Sequence, residues 1–146
     1  MSLDSINKAI LKLLQEDAKQ SNTAIARKVG ISSPAVSERI KKLEDMGIIK
    51  GYKTLVASEQ LGYNLRAIIT LKAFMGKLKP FLKKVKSYDE IVNCYRVTGD
   101  ENIVMEIILR DQQHLEALID ELITYGETKT QIVLSQVIDH KLVKPV

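Results

Sequence analysis

The sequence predicts an α+β chain in two parts, a three-helix domain followed by a βαββαβ domain. Up to about residue 45 the apolar residues recur at helical spacing. After residue 62 they fall into short alternating or apolar-rich runs separated by amphipathic helices. Charge divides the chain in the same way. Residues 1–52 carry nine Lys/Arg against six Asp/Glu, and the rest carry thirteen against twelve. With 146 residues, 45% apolar and 27% charged, the chain has the composition of a globular protein with room for one ordinary domain or two small ones.

In the first part, Asp4 is a suitable N-cap for a helix bearing Ile6, Ile10, Leu13 and Leu14 through about Asp17. Ser21 and Asn22 cap a second helix with Ile25, Ala26 and Val29 on one face. Gly30 closes it, because glycine enters the left-handed conformation without steric cost. After the short turn Ile31-Ser32, with Ser32 as cap, Pro34 falls in a first helical turn, where its missing N–H had no partner anyway. Val36, Ile40 and Leu43 then stand at i, i+4 and i+7, facing the first two helices. Ser37, Glu38, Lys41 and Lys42 take the opposite face with Arg39 beside them.

Two helices joined by a tight glycine turn form a helix-turn-helix, whose second helix enters the major groove of double-stranded DNA. Ser33, Pro34 and Ala35 are small enough for close approach, and Ser37 and Glu38 can bond base edges. Arg39, Lys41 and Lys42 suit phosphates, which supply affinity without sequence information. Five basic residues against one acid within residues 21–42 fit that partner. Ser32 is also simply a cap, and Glu38–Lys42 is also an i,i+4 surface pair.

The stretch Ile25-Ala26-Arg27-Lys28-Val29-Gly30-Ile31-Ser32, then Ala35-Val36-Ser37-Glu38-Arg39-Ile40-Lys41-Lys42-Leu43-Glu44 and Gly47-Ile48-Ile49-Lys50-Gly51-Tyr52, closely resembles the Lrp/AsnC (feast/famine) transcriptional regulators. Asn7 stands where that family more often has an acid. Residues 48–57 are β-rich and are expected to leave the helical domain as a strand. Ser58–Gly62 reads as one helical turn closed by glycine. The expected boundaries are 1–50 for the DNA-binding domain, 51–62 for the linker and 63–146 for the second domain. The resemblance implies that the linker strand packs across a dimer partner.

In the second part, Leu65, Ala67, Ile69, Leu71 and Ala73 alternate with more polar positions as a strand. A helix with Phe81, Leu82, Val85 and Tyr88 follows. Strands Ile91–Thr98 and Ile103–Leu109 flank the hairpin turn Gly99-Asp100-Glu101-Asn102. Asp111 caps a helix with Leu115, Leu118, Ile119 and Leu122, and a last strand is expected from about Thr128 to Ile138. This order is the ferredoxin-like split βαβ arrangement, a four-stranded antiparallel sheet with both helices on one face. Ile68, Val104 and Ile108 make the other face apolar as well, which calls for a covering subunit.

The family resemblance covers essentially the whole chain. It implies an ACT-related effector domain and assembly of four dimers into an octamer. Its effector turn, typically Gly-Asp-x-Asp, is matched by Thr98, Gly99 and Asp100, with Asn102 replacing the second acid. An amide lacks the charge-assisted bond a carboxylate offers a ligand ammonium. A Gly-Asp hairpin also needs no ligand at all. The family's last strand contributes Thr128, Lys129 and Thr130 to the same cleft, Lys129 suiting a ligand carboxylate.

Nothing in the pattern points to catalysis or a metal. His114 and His140 have no second ligand at metal spacing, and Cys94 has no CxxC partner and is expected to be a buried small apolar residue. A phosphate loop, a Gly-x-Ser-x-Gly elbow and a dinucleotide fingerprint are all missing. The single cysteine fits a reducing cytosol, and with no signal-like start and no membrane-length apolar run the expected location is cytoplasmic. No cofactor is expected beyond an amino-acid effector. The sequence leaves two readings open, a specific regulator responding to an amino acid or related metabolite, and an architectural protein that wraps or bridges DNA without one.

Overall fold

The computed structural model describes residues 3–146. These fall into two compact units. One holds the residues up to Leu55 together with Ile138–Val146, and the other holds Val56–Val137.

The helical unit contains α1 (Ser5–Glu16), α2 (Asn22–Val29) and α3 (Ser33–Asp45). Each starts at the cap its sequence offers. Asp4 accepts from the Asn7 amide, Ser21 from Ala24 and Ser32 from Ala35. Gly30 ends α2 at φ 74°, a left-handed conformation that favours glycine. Ile10, Ile25, Val36 and Leu43 form the buried centre, with Leu11 and Ala26 at its edge.

The second unit contains β1 (Leu65–Ala73), α4 (Leu78–Lys84), β2 (Ile91–Arg96), β3 (Ile103–Leu109), α5 (Gln112–Leu122) and β4 (Gly126–Ile132). The sheet order is β2-β3-β1-β4, antiparallel throughout. Ala67, Ile69 and Leu71 of β1 and Ile103, Met105, Ile107 and Leu109 of β3 pack against Phe81 and Val85 and against Leu118 and Leu122 of α5. The split βαβ arrangement expected from sequence is therefore present. The first helix of this unit is shorter than expected, passing at Val85 into a single 3-10 turn that ends before Tyr88.

Three expectations need correction. Residues 48–57 form no strand, because a β-prone segment becomes one only where a partner completes its ladder, and no described residue does. The final strand stops at Ile132. Its sole neighbour, β1, begins at Leu65, and the last bond across that ladder runs from the Val133 amide to the Arg66 carbonyl. Beyond it, Ile138–Val146 belongs with the helical unit, where the Gln15 side-chain amide donates to the Val143 carbonyl and accepts from its N–H (3.0 and 2.9 Å). Cys94 is exposed, since β2 lies at the sheet edge and the helices cover the central strands.

Candidate nucleic-acid interface and effector turn

The expected reading surface is assembled on α3. Ser37, Glu38, Lys41 and Lys42 are exposed, as is Pro34 in the first turn, while Ser33 and Ala35 are half-buried beside it. Lys42 pairs with Glu38 at 2.8 Å, and this pair holds the Glu38 carboxyl below the usual range. Both side chains remain about two-thirds exposed (67% and 69%), so solvent screens the pair and it opens readily for another partner. Behind the head, Lys28 donates to Gln20 at 2.7 Å, and Arg27 stays exposed.

Arg39 behaves differently from its neighbours. Its Nη1 donates to Asp4 Oδ2 at 2.6 Å and to Asn7 Oδ1 at 2.9 Å, joining α3 to the start of α1. Asp4 is held below its ordinary pKa first by Arg39 and next by the Asn7 N–H. The spacing carried this signal. Arg39 lies three residues after Val36 and four before Leu43, on the edge of the buried stripe. At the other end of α3, the Tyr52 hydroxyl donates to Glu44 at 2.8 Å. Partial burial, then that bond, push the phenol up to about 12.

The effector turn closes where the Val97 N–H donates to the Asn102 carbonyl at 2.9 Å. Asn102 Oδ1 accepts from the Ala73 N–H at 3.3 Å, so the residue replacing the family's second acid fastens the turn to the end of β1. Thr98, Gly99 and Asp100 are exposed. On the far side of β1, Lys129 pairs with Glu101 of the turn. The pair lowers the Glu101 carboxyl and raises the Lys129 ammonium. The structure thus brings Lys129 to the turn. Thr128 and Thr130 point to the opposite face, being paired with the core residues Leu71 and Ile69, whereas Lys129 is paired with Thr70.

Gly126 at the start of β4 was not foreseen. A Cβ there would sit 2.2 Å from the Lys72 carbonyl oxygen, so the close approach of β1 admits only glycine. Among the described residues no group of three or more His, Cys, Asp or Glu could hold a metal ion, and no helix is long and apolar enough to cross a membrane.

The signature of a winged helix-turn-helix DNA-binding domain matches residues 3–50, and that of the Lrp/AsnC ligand binding domain matches residues 66–143. The chain belongs to the Lrp/AsnC family. Among its Lrp/AsnC relatives, the HTH-type transcriptional regulator LrpB of Bacillus subtilis is 32% identical over 142 residues, 96% of this chain and 94% of that one. The HTH-type transcriptional regulator FL11 of Pyrococcus furiosus is 36% identical over 118 residues, 81% and 78% of the two chains. The structure of B. subtilis LrpC superposes with a TM-score of 0.90 at 30% identity, covering 97% of this chain and all of that one (100%). This Lrp/AsnC protein is a DNA-binding transcriptional regulator that carries a ligand-binding domain.

Proposed function

We propose that α3 reads operator DNA from a homo-oligomer, and that an amino acid or related metabolite acts at the turn formed by Thr98, Gly99, Asp100 and Asn102 with Lys129. Thr128 and Thr130 stand on either side of Lys129 along β4, on the opposite face of the strand. The observation that carries this reading is the α3 surface, where Pro34, Ser37 and Glu38 are exposed with half-buried Ser33 and Ala35 beside them and exposed Lys41 and Lys42 next to them. The small residues and the Glu38 carboxylate address base edges, and the lysines address phosphates. Paired heads favour inverted half-sites about 34 Å apart or a multiple of that.

An effector shifts DNA binding only through a different affinity for two assemblies or orientations. Its carboxylate competes with Glu101 for Lys129, and Asp100 remains exposed for an ammonium. Binding to the upstream region of its own gene and to a shuffled duplex, at one physiological salt concentration with and without a pool of amino acids, tests the reading. It requires a preference of about a thousandfold or more for the native duplex, together with a shift when the pool is added. Equal binding to both, indifferent to the pool, overturns it in favour of an architectural protein.

A further inference from the structure

Three of the four charged residues on and beside the reading surface, Glu38, Arg39 and Lys42, have intramolecular partners, but only Arg39 is tied to another helix. We infer that Arg39 is a positioning residue for DNA recognition rather than a phosphate contact: by joining α3 to Asp4 and Asn7 of the α1 start, it fixes the attitude at which Ser33–Glu38 meet the bases. This rests on α3 being the reading helix.

The geometry of the joint supports that role. Both oxygens of Asp4 are committed, Oδ1 to the Asn7 amide as the helix cap (2.7 Å) and Oδ2 to Arg39 (2.6 Å). Asn7 contributes twice, its backbone to the cap and its side chain to the guanidinium (2.9 Å). Arg39, Asp4 and Asn7 line one cleft with Ala35, Glu38 and Lys42, so the joint lies directly beside the residues assigned to base edges. The Arg39 side chain is 30% exposed, against 67% for Lys42. Reaching a phosphate would require Arg39 to break a charge-assisted pair and leave Asp4, a negative charge, at the same end of the head as the DNA. Lys42 would give up only an exposed i,i+4 pair with Glu38 on its own helix. Asn7 also has a consequence here. Where the family more often has an acid, this chain gives Arg39 one carboxylate and one amide as bonded partners, Asp4 and Asn7.

Salt dependence separates positioning from phosphate binding. Each phosphate contact adds about 0.9 to the slope of log affinity against log salt, while positioning affects only the preference for the right sequence. The experiment measures Arg39→Gln, Asp4→Asn and Lys41→Gln beside wild type, on the native upstream duplex and a shuffled one over a salt series, with helical circular dichroism recorded for each. Asparagine is as good an N-cap as aspartate, so Asp4→Asn removes the charge and keeps the helix start.

Arg39→Gln and Asp4→Asn are expected to lower the native-to-shuffled ratio about tenfold with an unchanged slope, a loss the size of one mismatched base pair. Lys41→Gln is expected to lower the slope and leave the ratio. A slope loss for Arg39→Gln equal to that of Lys41→Gln, with the ratio kept, overturns the inference. So does a loss of affinity that follows only the unfolded fraction, with the ratio intact. Wild-type protein that binds both duplexes equally overturns the reading-helix assignment, and this inference falls with it.

Discussion

Asp4 holds two jobs in one carboxylate, cap for α1 and counter-ion for Arg39, and both favour its ionised form. Its pKa in the folded chain is therefore lowered. The stabilisation it gives is fully present above its unfolded value of about 3.9 and is lost as pH falls through the lower folded value. Acid titration followed by helical circular dichroism is expected to show wild type more stable than Asp4→Asn at neutral pH, with the gap closing below about pH 4. A gap that stays constant into acid would mean the charge contributes nothing. Gly126 makes a different residue-scale demand, for space rather than charge. A methyl group at this position overlaps the Lys72 carbonyl, a backbone group that cannot turn away, and the neighbouring Tyr125 ring packs tilted against Phe81, with centroids 5.4 Å apart. Gly126→Ala is expected to cost on the order of 2–3 kcal/mol, read as a lower denaturation midpoint at unchanged m-value. A change under about 0.5 kcal/mol would show that the strands can part there without cost.

At the scale of elements, α3 is held by two fully buried side chains, Val36 and Leu43, and its exposed face contributes little to stability. Leu43→Ala is expected to cost about 2–5 kcal/mol, and hydrogen exchange should show protection lost from α1, α2 and α3 together, since all three share that core. Loss confined to α3 would mean the helices are not one cooperative unit. The same element shows why its structure was legible in the sequence. Its start, its proline and its apolar stripe are local signals within thirteen residues, and Ser21 with Gly30 bounds α2 as clearly. The linker and the end of β4 were misread because a strand is a relation between two segments, and β propensity names only one of them. The Glu101–Lys129 pair needed the register across β1 to be known, with Lys129 opposite Thr70. Gly126 needed a backbone approach that no side-chain pattern records. Arg39 was legible in its spacing, yet its charge suggested phosphate first.

For the whole molecule the open question is what covers the second face of the sheet. The helices occupy one face, and on the other Ile68, Val104 and Ile108 lie together with Tyr95, which is 49% exposed. An antiparallel sheet tolerates a solvated face when that face is polar, and this one is mixed, with Ile68, Val104 and Ile108 interleaved with Arg66, Thr70 and Glu106 on the two central strands. A second copy laid on this face removes apolar surface from both chains at once and yields a closed two-fold dimer. Val104 is the best position to test it, since it lies opposite Tyr95 and Thr70 and a carboxylate there meets no like charge across either ladder. Light scattering is expected to give a multiple of 16.4 kDa for wild type and 16.4 kDa for Val104→Glu, with unchanged circular dichroism. Such a dimer would also link two reading heads. Its loss should reduce operator affinity by about a hundredfold or more, because the second half-site no longer benefits from effective concentration, while shuffled DNA loses much less. A Val104→Glu protein that keeps the wild-type mass would place the subunit contact elsewhere, and a wild type of 16.4 kDa would remove the basis for paired half-sites.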